Sequence, residues 1–194
     1  MRNCASGVSR PMVYKLSDIR ILLVEDMQPM LNLTKSILNL FGFKYVYTAH
    51  NGEEAFKVFQ EQQPDVVITD WLMEPVSGPE LIEKIRRDPK SHNPYAPIIL
   101  MTGYSDKPRV EMARDKGVTE FLSKPFSARD LYSRIVQIIE KPRPFVNAGD
   151  FFGPDRRRKH AEDFKGPTRR DADDDNAKVS DFALRDLRET VKKL

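Results

Sequence analysis

Three carboxylates, a hydroxyl and an ammonium stand where short apolar runs of this chain end. Ile19 to Val24 runs into Glu25-Asp26, Val66 to Thr69 into Asp70, Ile98 to Met101 into Thr102, and Phe121-Leu122 into Ser123-Lys124-Pro125. Carboxylates hold a hard cation such as magnesium through oxygen. A carboxylate can also accept a phosphoryl group covalently, provided the repulsion between two anions is cancelled first. A divalent ion and a lysine do that, and a hydroxyl such as that of Thr102 can hold another oxygen. The set suits metal-assisted phosphoryl transfer, a chemistry of positioning and charge neutralisation, with Asp70 as the acceptor.

These residues act together only if the fold gathers them. In an alternating strand–helix fold, ligands bind beyond the carboxyl ends of the parallel strands. The runs before Glu25, Asp70 and Thr102 are nearly all apolar, as central parallel strands buried on both faces should be. Tyr45 to Ala49 and Thr119 to Leu122 supply two further strands. Between them lie helical patterns. One starts near Pro29, with Met30, Leu33, Ile37, Leu38 and Phe41 as its apolar face and Gly42 as its stop. Asn51 with Glu54 caps the next, where Ala55, Val58 and Phe59 face inward. Leu81, Ile82 and Ile85 mark the third, and Pro108 to Lys116 forms the fourth, stopped by Gly117. Ser127 to Asp130 is a capping-box signature opening the last, with Leu131, Ile135, Ile138 and Ile139 apolar. Five strand–helix repeats predict an α/β fold, a parallel sheet sandwiched by helices.

Composition bounds the function from the other side. The 194 residues suit one ordinary domain with appended segments. Residues 1–140 carry 18 basic and 18 acidic side chains, and residues 141–194 carry 14 and 11. The whole excess of +3 thus lies in the tail, and it does not by itself call for nucleic acid. Cys4 is the sole cysteine, which excludes an internal disulfide and fits a reducing compartment. No stretch approaches membrane-spanning length. The expectation is a soluble, cytoplasmic protein. Residues 1–17 are expected to be a flexible segment, and residues 141–194 a charged, largely disordered tail with a short helix over 181–194. Phe145, Phe151 and Phe152 are the expected exceptions. The Arg156 to Lys159 and Asp173 to Asp175 runs read as solvated charge. His50, His92 and His160 are scattered and suggest no triad or metal cluster.

Residues 18–140 resemble the receiver domain of two-component response regulators, of the flavodoxin-like type seen in the chemotaxis regulator. The resemblance rests on Glu25-Asp26, on Asp70-Trp71-Leu72-Met73 with Gly78, on Thr102-Gly103 and on Lys124-Pro125, in that order. It implies a doubly wound five-stranded parallel sheet of order 2-1-3-4-5. It implies that Asp70 receives a phosphoryl group from a histidine kinase or a histidine phosphotransfer protein. By the same resemblance Asp26, Asp70 and the Leu72 carbonyl bind magnesium, with Glu25 helping through water. Thr102 and Lys124 contact the phosphoryl group, Thr102 and Phe121 form the switch, and the Lys124–Pro125 peptide is cis. Such a protein catalyses only its own phosphorylation and dephosphorylation. It signals through a downstream protein partner, as a monomer or a phosphorylation-dependent dimer.

Three residues depart from the family's habit. Glu25 stands where Asp is commoner, Glu74 separates Met73 from Pro75, and Phe121 replaces the more usual tyrosine. In receivers generally the residues two after the phosphoacceptor and two after the strand 4 hydroxyl flank the path of hydrolytic water; the resemblance puts Leu72 and Tyr104 there and implies slow loss of the phosphoryl group. Trp71 reads as a partly exposed side chain beside the site. The rival readings are a phosphate sink, a pseudo-receiver that only binds, and a nucleic-acid binder working through the basic tail.

Overall fold

The computed structural model of this chain describes residues 16–103, 107–149 and 151–155. After a single 3-10 turn at Leu16–Asp18, strands and helices alternate: β1 (Arg20–Val24), α1 (Gln28–Leu40), β2 (Tyr45–Ala49), α2 (Gly52–Gln62), β3 (Val66–Asp70), α3 (Gly78–Arg87), β4 (Ile98–Thr102), α4 (Lys107–Asp115), β5 (Glu120–Ser123) and α5 (Ala128–Glu140). The five strands form one parallel sheet in the order β2-β1-β3-β4-β5. The predicted fold class is therefore the observed one. Two further strands, β6 (Phe145–Ala148) and β7 (Phe151–Pro154), form an antiparallel hairpin.

The period of two along each strand divides the core into two layers. Ile21, Leu23, Ile68, Ile99 and Met101 point to one face, where Leu31 and Leu38 of α1 and Leu131, Ile135, Ile138 and Ile139 of α5 cover them. Leu22, Val24, Val67, Ile98 and Leu100 point to the other, against Ala55, Phe56 and Phe59 of α2, Leu81, Ile82 and Ile85 of α3, and Ala113 of α4. β3 and β4 are buried at every position, as central strands of such a sheet must be. β2, on an edge, is half-exposed.

Helix starts follow local chemistry. The Asn51 side chain accepts from the N–H groups of Glu53 and Glu54 at 3.0 and 2.9 Å. Glu54 reaches back to the His50 N–H at 2.7 Å. Ser127 accepts from the Asp130 N–H at 3.2 Å, and the Asp130 carboxylate accepts from the Ser127 N–H at 2.9 Å, a complete capping box. Ser77 and Glu80 make a similar pair at the start of α3.

Three expectations need correction. The buried face of α1 is Leu31, Thr34 and Leu38, with Ile37 and Phe41 partly buried beside it; Leu33, expected on that face, is exposed. A polar Thr34 in the buried row hid the true phase of the helix. Trp71 is buried within the α2–α4 layer instead of lying open beside the site. Phe145–Ala148 and Phe151–Pro154, placed by sequence in the irregular tail, form the hairpin. The expected helix over 181–194 and the charge runs at 156–159 and 173–175 lie outside the described residues, as do residues 1–15 of the N-terminal segment.

Candidate functional site

The chain reverses direction across the sheet between β1 and β3, because α1 and α5 lie on one face and α2, α3 and α4 on the other. A crevice opens at the carboxyl ends of the strands at such a reversal. Glu25 follows β1 directly, Asp70 is the last residue of β3, and Lys124 follows β5. Backbone hydrogen bonds hold these ends in place. Glu25 N–H donates to the Ala49 carbonyl at 3.1 Å and Lys124 N–H to the Thr102 carbonyl at 2.7 Å.

The Lys124 ammonium lies between two carboxylates, 2.8 Å from Glu25 Oε2 and 2.9 Å from Asp70 Oδ1. Glu25 is wholly buried and Asp70 nearly so. Burying a charge is costly unless it is paired, so this lysine is what makes two buried carboxylates tolerable. Burial opposes the Lys124 charge, but the hydrogen bonds and charges of Glu25 and Asp70 outweigh it and hold the ammonium's pKa above its ordinary value. Burial raises the Glu25 pKa, and the charge of Asp70 adds to the rise, while the Lys124 hydrogen bond opposes it.

Carboxylate oxygens of Glu25, Asp26 and Asp70 all lie within 4.8 Å of one another. Three negative groups around one ammonium leave anionic excess. Glu25 Oε1 is buried with no hydrogen-bond partner, one of two such side-chain atoms among the described residues. A buried acceptor with nothing to accept from, next to two more carboxylates, fits a cation. An all-oxygen donor set suits magnesium, calcium or manganese rather than zinc.

The other predicted residues are at the rim. Thr102 ends β4 and is buried. Leu72 lies in the loop after β3 and is 56% exposed. Phe121 is half-buried and packs on the α2–α4 layer, outside the carboxylate cluster. Tyr104 lies outside the described residues. The Lys124–Pro125 bond is cis, as expected, and so is Glu74–Pro75. Gly78 does more than complete the family's motif. Gly78 lies so close beneath Asp70 that an added Cβ would stand 2.0 Å from the Asp70 carbonyl oxygen. Its signal was the Ser77-x-x-Glu80 box, which fixes where α3 begins.

A doubly wound α/β domain with an acidic trio and a lysine at its switch-point crevice is the arrangement of a receiver domain. The family model for the response regulator receiver domain matches residues 21–136, more than half of the chain, and the chain belongs to that family. Over 124 residues it is 28% identical to chemotaxis protein CheY-3 of Vibrio cholerae, covering 64% of this chain and 94% of that protein. It is 32% identical over 129 residues to hybrid signal transduction histidine kinase D of Dictyostelium discoideum, covering 65% of this chain. It is 27% identical over 124 residues to the phosphate regulon transcriptional regulatory protein PhoB of Pseudomonas aeruginosa, covering 64% of this chain. The match spans only 8% of that kinase and 53% of that regulator. Among solved structures, a receiver domain protein from Clostridium thermocellum matches with a TM-score of 0.57 at 32% identity, covering 63% of this chain and 95% of that one. No helix among the described residues is long and apolar enough to cross a membrane.

Proposed function

We propose that this receiver is a phosphorylation-controlled switch with Asp70 as its phosphoacceptor. The observation that carries the reading is the Asp70 carboxylate held 2.9 Å from Lys124 Nζ, with the carboxylates of Glu25 and Asp26 beside it. The donor is a phosphohistidine on a histidine kinase or a histidine phosphotransfer protein. An Asp70 oxygen attacks phosphorus, the P–N bond of the donor breaks, and the leaving imidazole takes up a proton. Lys124 neutralises charge on the incoming phosphoryl oxygens, and Thr102 holds another of them at the end of β4. Glu25, Asp26, Asp70 and the Leu72 carbonyl would hold the magnesium ion. That ion supplies further charge neutralisation between the two anions. Thr102 and Phe121 then relay the change to the surface. The chain acts on no other substrate, works in the cytoplasm and signals by protein contact.

The test is intact mass after treatment with acetyl phosphate and magnesium. Wild type should gain one phosphoryl group and Asp70→Asn none, and magnesium should raise the Tm of wild type but not of Asp26→Asn. A gain persisting in Asp70→Asn would overturn the assignment. A wild type that binds partners yet never gains mass would instead be a pseudo-receiver.

A further inference from the structure

Two elements leave the surroundings of Asp70: α3 ends against the C-terminal hairpin, and β5 ends on Arg143, two residues before it. The first is α3. Its amino end is pressed against Asp70 at Gly78, whose N–H also donates to the Trp71 carbonyl at 3.0 Å. Its carboxyl end carries Arg86, which is 4% exposed. Arg86 donates to the Gly117 carbonyl from Nε and Nη2 at 3.1 and 3.0 Å, and from Nη1 to the carbonyls of Pro94 and Ala96 at 2.6 and 2.8 Å. The Phe145 ring of the hairpin covers this guanidinium, 5.0 Å away. Burial pulls the Arg86 pKa down to about 9, which leaves it a cation at neutral pH.

The second element is β5. Its carboxyl end delivers Lys124 to Asp70 and Glu25. At its amino end lies Glu120, 6% exposed. Glu120 accepts from Arg143, just before the hairpin, at 3.0 Å, and from Gln137 at 3.1 Å. The hairpin itself is seated firmly. Tyr95 meets Phe145 and Phe152 edge-on, each at 5.3 Å between ring centroids. Gly117, at φ +93°, lies under it, and an added Cβ there would stand 3.0 Å from the Phe152 carbonyl oxygen. Both the backbone angle and the close approach call for glycine at that point.

We propose that the β6–β7 hairpin is a regulatory strap whose docking is coupled, through β5 and α3, to the state of Asp70. The direction follows from the geometry. The contact of 2.9 Å between Lys124 Nζ and Asp70 Oδ1 leaves no space for a phosphoryl group between these atoms. Modification at that oxygen makes Lys124 retreat, β5 carries the shift to Glu120, and the Glu120–Arg143 pair is strained. The docked strap matches the unmodified site, and phosphorylation loosens it. Coupling of this kind is reciprocal, so an undocked strap in turn favours the modified site. The phosphorylation half of this inference rests on the phosphoacceptor reading above; the mechanical half does not.

Hydrogen exchange of the full chain, followed on peptides within 145–153, tests both halves. Lys124→Met cuts the tether without any phosphoryl chemistry. It should speed exchange of the hairpin amides by about fivefold or more beyond any acceleration they share with the β1 amides. Wild type carrying one added phosphoryl group by intact mass should show the same acceleration. Unchanged or slower hairpin exchange in Lys124→Met overturns the strap, as does unchanged exchange in protein whose mass shows full modification. Failure to gain the phosphoryl group refutes the phosphoacceptor reading alone, and the Lys124→Met result then decides the strap.

Discussion

Replacing Gly78 by alanine would place a methyl carbon 2.0 Å from the Asp70 carbonyl oxygen, 3.1 Å from its carbonyl carbon and 3.0 Å from Leu100 Cδ1. Real Cβ atoms essentially never approach within 3.0 Å, so the first turn of α3 or the end of β3 must move by about 1 Å. Neither yields easily. β3 is buried at every position between β1 and β4, and α3 is held at its far end by Arg86. Overpacking of this sort costs roughly 1–3 kcal/mol, which for a chain of this size lowers Tm by about 2–12 °C. That leaves most of a stability of about 5–15 kcal/mol, so the variant stays folded at 25 °C. Chemistry is more sensitive, because a displacement of about 1 Å can cost on the order of 100-fold in rate. We therefore expect phosphoryl incorporation, timed by intact mass with saturating donor and magnesium, to slow by about 100-fold. A thermal melt of the same sample should show the modest loss. Incorporation within about twofold of wild type would refute the claim that this contact sets the position of Asp70.

Three further outcomes are expected. Glu25→Gln should be more stable than wild type by about 0.5–2 kcal/mol at neutral pH, since it removes a buried charge. The Glu25 pKa is raised on folding, so the stability linked to its protonated form is present below the unfolded value, about 4.3, and is lost as pH rises through the folded value. The advantage of the variant, read from urea midpoints, should accordingly vanish in acid and grow toward neutrality. Arg86→Ala strands the carbonyls of Gly117, Pro94 and Ala96 and should lose about 3 kcal/mol or more; Arg86→Lys should not restore it, since an ammonium lacks the planar fork. For the lifetime of the modified state, Leu72→Asn combined with Tyr104→Glu should speed decay of phosphorylated protein in magnesium by about tenfold, equivalent to ~1.4 kcal/mol of barrier. Equal decay of variant and wild type would rule out this account.

Much of this molecule was legible because its fold is written in local, repeating signals. Apolar runs of strand length, capping pairs at Asn51 and Ser127, and a stop at Gly117 recur with the strand–helix period, and each acts within a few residues. The carboxylates and the lysine were legible for a related reason. Each ends an apolar run, and a parallel sheet brings all such ends to one edge. Where reading failed, the cause was a contact between distant segments or a polar residue in an apolar row. Thr34 occupies a buried place on α1 and shifted the apparent face of that helix. Trp71 looked like a loop residue, but the chain turns it back into the α2–α4 layer.

The sequence by itself determined the class of fold, the order of its elements and the set of charged groups that meet at the carboxyl edge of the sheet, because periodicity, capping and strand-end position are properties of short segments. Tertiary structure alone decided how these groups share charge. That Lys124 lies between Glu25 and Asp70, that Glu25 Oε1 is left without a partner, and that Gly78 presses on Asp70 are facts of packing between segments far apart in the chain. It alone decided the hairpin as well. Phe145 and Phe152 become a docked strap only where Tyr95, the buried Arg86 and the bare backbone of Gly117 meet, and nothing local to residues 145–154 encodes that meeting.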